Sequence, residues 1–390
     1  MHNDTLTSQF HLRRDITYLN FGSFGACAKP IFERYQQFQM ELEQEPVQFI
    51  TVNGPKYLQQ SREALAAYIG CNGDDVVFVT NPSYGVNIIA KSLKLQPGDE
   101  VLTTNIEYGA CDKAWQYYCD KAGAKYVRQN IHFPLTTKED FSEQFFAGLT
   151  DNTKLVFISH ITSATGLRLP VEEICSIAKS KGLMTFVDGA HAPGQIKIDL
   201  TTLGADIYTG ACHKWMMAPK GCSFLYVKKE LQSLFDPLII SWGYQSAFPS
   251  QSVFLDYHQM QGTRDFSAFL TIPAAIDFMK KYDWENIASG CRKMVLVNAE
   301  KFCKLLHSQP LTPINEDFLV QMFSIPIMAN EPEKLQRHLF EKYNIEIPVM
   351  KQDDKVYIRF SIQAFNTQKD LDILYNALMD ILENTSLIEE

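Results

Sequence analysis

The chain has 390 residues, 46% of them hydrophobic and 21% charged, with a formal net charge of −9; this is enough for two domains, and the acidic balance argues against a broad nucleic-acid-binding face. No apolar run reaches the ~20 residues of a membrane span, so no membrane partner is expected, and the opening MHNDTLTSQFHLRRD lacks the apolar core of a secretory leader. Nine cysteines, scattered from Cys27 to Cys303, form no CxxC or zinc-like spacing, so no metal site is expected and they read as reduced thiols of a cytoplasmic protein.

In chain order, residues 1–55 read as an N-terminal arm and helix, with a glycine-rich stretch, LNFGSFG, at 19–25. From 56 to 265 short apolar runs alternate with helical periodicity. DVVFVT (75–80) reads as a strand and GVNIIAKSLKL (85–95) as a helix. DEVLTTN (99–105) is a strand, ACDKAWQYYCDKAG (110–123) a helix and TKLVFISH (153–160) a strand. PVEEICSIAKSKG (170–182) is a helix, and LMTFVD, ADIYTG and CSFLYV are strands at 183–188, 205–210 and 222–227. Alternating β and α with nearly continuous apolar strands predicts an α/β domain with a mostly parallel sheet. Residues 235–265 show no period but carry aromatic side chains, which suits a functional loop or an interface. From 266 to 390, helices near 267–282, 285–308, 331–343 and 367–384 surround strands in FLVQMFSIPI, IEIPVM and KVYIRFSI. That pattern predicts a second, smaller α+β domain.

Ligands of open α/β sheets sit beyond the carboxyl ends of the strands, so the residues after each strand carry the functional reading. NPSYG (81–85) is an ordinary turn and helix cap. It also presents Ser83 and Tyr84 at a helix N-terminus, where an anion is favoured. The absence of a G-x-G-x-x-G turn there argues against dinucleotide binding. Tyr108 follows the second strand, and Ser163 and Thr165 follow the third, either for a ligand or to shape a turn. Asp188 ends an apolar strand with His191 three residues on, and His213 and Lys214 follow the next. A carboxylate or a lysine in such places is costly unless something meets it. An anion cradle, an aromatic plate, a buried carboxylate and a lysine together match the needs of pyridoxal phosphate: donors for the phosphate, a face for the ring, a partner for its nitrogen, and an amine to form a Schiff base.

YLNFGSFGA, IEYGACDKAW, FVDGAHAPG, CHKW, QGTRDFSAFL and YIRFSIQAFN together resemble class V of the fold-type I pyridoxal-phosphate enzymes, most closely isopenicillin N epimerase-like proteins, with cysteine desulfurases more distant. The resemblance spans about residues 16–380. It implies that Lys214 is the Schiff-base lysine and acts later at the substrate Cα, that Asp188 pairs with the ring nitrogen, and that Tyr108 stacks on the ring. It implies His191 and Ser163 near the ring hydroxyl, and Ser83, Tyr84 and His213 at the phosphate. Thr263 would reach the phosphate of a neighbouring subunit in a homodimer. Arg359 would clamp the α-carboxylate of an amino-acid-type substrate; strand alternation independently puts it with Tyr357 and Ser361, opposite Val356, Ile358 and Phe360. Asn20, Ser23 and Phe24 would line the mouth. Two departures stand out. Ala211 occupies a position where the family often has a hydroxyl or amide, with Thr209 as a candidate replacement. No cysteine follows Cys303, which argues against persulfide-forming chemistry. The expected activity is therefore reaction at Cα through an external aldimine, with C–S elimination or a catalytically silent binding protein as alternatives.

Overall fold

The computed structural model describes residues 6–389; residues 1–5 of the N-terminal arm lie outside the described residues. Seven strands form one sheet: β1 (Val76–Val79), β2 (Glu100–Thr104), β3 (Lys125–Gln129), β4 (Thr153–Ser159), β5 (Met184–Gly189), β6 (Ile207–Ala211) and β7 (Ser223–Val227). Their order is β1-β7-β6-β5-β4-β2-β3, and only β7 runs antiparallel to its neighbours. The carboxyl ends of the other six therefore share one edge.

Apart from the edge strand β3, this sheet is covered on both faces, and its strands carry buried side chains at consecutive rather than alternate positions. Val77, Val79, Leu155, Phe157 and Phe186 pack on one side with Ile88, Ile89 and Trp115. Phe78, Val156, Ile158, Val187 and Tyr208 pack on the other. The helices of this region are α1 (Lys29–Gln44), α2 (Gly54–Ile69), α3 (Pro82–Ser92), α4 (Gly109–Ala122), α5 (Lys138–Phe146) and α6 (Val171–Ser180). Strand β3 and helix α5 were not expected from the sequence. β3, KYVRQ, is one of the two edge strands and has no fully buried position, so it lacks the apolar signature of the other strands.

The C-terminal part contains α7 (Ile272–Lys281), α8 (Trp284–Leu305), α9 (Pro332–Tyr343) and α10 (Gln368–Asn384). They surround a three-stranded antiparallel sheet of β8 (Met322–Ile327), β9 (Val349–Gln352) and β10 (Lys355–Ser361), in the order β9-β10-β8. Two contacts seat this sheet on the turn after β4. Ser324 Oγ donates to the Ala164 carbonyl at 2.7 Å, and Arg359 Nη1 donates to the Ser163 carbonyl at 2.5 Å. Among the described residues no helix is long and apolar enough to cross a membrane.

Candidate active site

The exits of β6, β5, β4 and β2 are adjacent in the sheet, and they bring Lys214, Asp188, Ser163 and Tyr108 to one edge. Thr209, near the end of β6, sits under the first turn of α3, where a Cβ on Gly85 would lie 2.9 Å from its hydroxyl. The NPSYG turn thus joins the same edge.

Asp188 is buried. One carboxylate oxygen accepts from the Ala190 N–H at 2.9 Å, and the other meets the Cys111 thiol at 3.5 Å. Burial pushes its pKa up, against the pull of the Ala190 N–H and of Lys214. Lys214 lies in the turn after β6, with Nζ 3.1 Å from His191 Nε2, and burial pushes the amine down to about 8. His191 is buried and its pKa is held well below the usual value by burial and by Lys214. Tyr108 caps α4 and is half exposed; burial of its covered side, with the charges of Cys111 and Asp188, raises its phenol pKa.

Arg359 is 1% exposed, which rules out a surface arginine. Besides its bond to Ser163 it donates from Nη2 to Ser23 Oγ at 3.2 Å, and Ser23 Oγ in turn donates to Asn20 Oδ1 at 2.5 Å. Its Nε has no partner among the described residues, and burial pushes the guanidinium down to about 10. Glycine is needed twice in LNFGSFGA. A Cβ on Gly22 would fall 2.6 Å from Met322 Sδ and 3.2 Å from Arg359 Nη2. A Cβ on Gly25 would fall 2.4 Å from the His213 carbonyl, at a φ of +64° that disfavours any other residue. The N-terminal segment therefore forms a wall against both Lys214 and Arg359.

The anion cradle is narrower than the sequence implied. Asn81 caps α3 by accepting from the Tyr84 N–H at 2.9 Å, and the Tyr84 phenol donates to Gln261. The Gly85 N–H is engaged by the Asn81 carbonyl at 3.4 Å, so the Ser83 N–H and hydroxyl are the remaining donors of that turn. His213 Nδ1 faces the Cys222 carbonyl at 3.1 Å, leaving Nε2 for a ligand. Thr209 donates to the Phe224 carbonyl at 2.8 Å and is fully buried, so it does not substitute for the hydroxyl missing at Ala211. Thr165 bonds Thr162 within the turn and shapes it. Thr263 is exposed.

Three features escaped the sequence reading. Glu107 is buried, accepts from Thr104 at 2.7 Å and Ser159 at 2.5 Å, and is pushed up to about 8 by burial. Cys111 touches Asp188, and Trp215 Nε1 lies 3.3 Å from His191 Nδ1. An acidic residue in the turn three positions beyond a buried strand was the one available signal for Glu107.

A mostly parallel, doubly covered sheet with lysine and aspartate at adjacent strand exits defines a fold-type I architecture. The Aminotransferase class-V family model matches residues 29–374, and the chain belongs to that family. It is 30% identical to the isopenicillin N epimerase of Amycolatopsis lactamdurans over 96% of this chain and 97% of that one. It is 26% identical to a probable chloroplastic L-cysteine desulfhydrase of Arabidopsis thaliana over 97% of this chain and 86% of the relative. A solved C-DES variant with glycine covalently linked to its PLP cofactor superposes with a TM-score of 0.80 at 19% identity, covering 96% of this chain and 98% of the other.

Proposed function

We propose that this class V chain is a pyridoxal-phosphate enzyme that binds an amino-acid-type substrate at Arg359 and reacts at its Cα, with Lys214 as the anchoring and proton-transferring amine. One observation carries the reading. Asp188, Lys214 and Arg359 share one buried edge, yet among the described residues none of them makes an ion pair. A buried carboxylate without a cation and a buried guanidinium without an anion are each costly. A protonated pyridine nitrogen completes Asp188, and a substrate carboxylate completes Arg359, so the residues present fit the group.

When bound, pyridoxal phosphate supplies an electron-withdrawing ring and an aldehyde that takes up amines, which acidifies the substrate Cα–H. Asp188 would hold the ring nitrogen, Tyr108 would cover one face of the ring, and His191 and Ser163 would lie toward its hydroxyl. Ser83 and the free nitrogen of His213 would hold the phosphate, with Tyr84, whose N–H and phenol are already engaged, beside them. Arg359, braced by the Ser163 carbonyl and by the Asn20–Ser23 pair, fixes the substrate carboxylate. Lys214, its amine lowered by burial to about 8 so that a fraction of it is uncharged at neutral pH, takes the Cα proton. Inversion at Cα needs a second acid opposite Lys214, and a Tyr108 stacked on the ring is the candidate we assign to it; Tyr108→Phe with unchanged racemisation would exclude it. The epimerase relative favours this outcome. The desulfhydrase relative favours a second reading, loss of a sulfur substituent from Cβ. The two separate on product: inverted amino acid, or keto acid and ammonia.

The seven-stranded sheet lies within 56–265 and the three-stranded sheet within 266–390, which supports a division at those boundaries with 1–55 as the arm. Exposed apolar residues in the 235–265 segment, Trp242 at 78% and Phe248 at 88%, support a homodimer that covers them and brings Thr263 to the partner's phosphate. Nine free cysteines suit a reducing cytoplasm. The decisive experiment is the absorption spectrum of the purified protein before and after borohydride, with mass mapping of the reduced peptide. A yellow band lost on reduction, with the label on Lys214, is expected. A colourless protein that pyridoxal phosphate cannot restore overturns the reading and leaves a silent binding protein.

A further inference from the structure

Trp215 follows the lysine directly and is fully buried, packed on Phe21 at a ring separation of 5.1 Å. Its indole nitrogen lies 3.3 Å from His191 Nδ1, and the other nitrogen of that imidazole lies 3.1 Å from Lys214 Nζ. An indole nitrogen only donates. His191 Nδ1 must therefore accept and bear no proton. A neutral imidazole carries one proton, so it sits on Nε2 and points at Lys214 Nζ. An ammonium has no lone pair to receive it; an uncharged amine does.

We infer that Trp215 is a positioning residue: by fixing the Nε2–H tautomer of His191, it selects the uncharged form of Lys214 before the cofactor arrives. The inference rests on the assignment of Lys214 as the anchoring amine. The charged groups acting on Lys214 are Asp188, which favours the ammonium, and Arg359, which opposes it; Cys111 faces the same pocket as a buried neutral thiol, and His213 adds to the field on His191. Asp188 pulls against the uncharged form, so a hydrogen bond that only an uncharged amine can accept has something to oppose. Phenylalanine at 215 keeps the packing on Phe21 and removes the N–H. His191 can then carry its proton on Nδ1 and accept from an ammonium through Nε2.

The test uses the full-length protein stripped of cofactor. Nitrogen-15 NMR of labelled histidines, with His191 assigned through His191→Gln, reports the tautomer directly. The rate of pyridoxal phosphate capture, trapped with borohydride, is followed from pH 6 to 10. The wild type is expected to show the proton on Nε2. Trp215→Phe is expected to raise the midpoint of the capture profile by about one pH unit, slowing capture near neutral pH roughly tenfold, with capture at pH 10 unchanged. A proton on Nδ1 in the wild type, or identical profiles in the two proteins, overturns the inference; if Trp215→Phe does not fold, the wild-type spectrum decides alone. Failure of the label to reach Lys214 sinks the functional reading instead, and is distinguishable because the tautomer is read without cofactor.

Discussion

Replacing Arg359 with methionine should leave the protein at least as stable and less able to hold its substrate. Burial pushes this guanidinium to about 10 from an ordinary value above 12, which corresponds to about 3 kcal/mol spent in keeping it charged at neutral pH. Against that stands the loss of its charge-assisted bond to the Ser163 carbonyl, about 1.5–3 kcal/mol, and of its bond to Ser23, which retains Asn20 as a partner. The net expectation is a change between zero and a gain of about 1.5 kcal/mol, read as an equal or raised urea midpoint at constant slope. Losing two charge-assisted bonds to a carboxylate should weaken amino-acid binding by at least about 100-fold, followed by spectral titration of the bound cofactor. An amine without a carboxylate should bind both proteins equally. If Arg359→Met is instead destabilised by more than about 1 kcal/mol, the residue is a brace between the two sheets and not a group held ready for a ligand.

Two further outcomes follow from the same geometry. Glu107, raised to about 8 in the fold, stays protonated where the unfolded chain ionises, so its contribution to stability falls as pH rises from about 4.5 to 8 and is flat above. Glu107→Gln keeps the shape of the neutral acid; its urea midpoint should match the wild type at pH 4.5 and exceed it at pH 8, and parallel curves would refute a protonated Glu107. Gly25→Ala should cost at least about 1–3 kcal/mol from backbone strain and lower cofactor retention, because the new methyl meets the His213 carbonyl; retention equal to wild type, measured by absorbance after dialysis, would place this segment outside the site.

The sheet was legible wherever burial was two-sided. VVFV and LVFI carry apolar side chains at consecutive positions because both of their faces are covered, whereas KYVRQ, at the opposite end of the sheet, is partly exposed throughout and carries no such mark. Alternation along β10 put Arg359 with Tyr357 and Ser361, and those three do share a face, but alternation says nothing about what covers it; burial came from the turn at Ser163. The partners of Asp188 and His191 were illegible for another reason. Cys111 and Trp215 are both apolar-looking residues whose single polar atom happens to meet a functional group, so sequence assigns them to the core, where they also belong. Asn81 is an ordinary cap by type, and only its bond to Tyr84 shows that the cradle loses a donor.

The region shared across class V begins at residue 29, whereas Asn20, Ser23 and Gly25 stand upstream of it, pressed against Arg359 and Lys214. An expression boundary drawn at the start of the shared region would keep the two sheets described above and every cofactor-facing residue named with them, and delete the short strand Thr17–Tyr18 and the wall beside the substrate carboxylate. Such a trimmed protein should turn yellow and yet discriminate poorly among amino acids. Exchanging residues 19–25 between relatives is accordingly a direct route to moving selectivity without disturbing the chemistry beneath it.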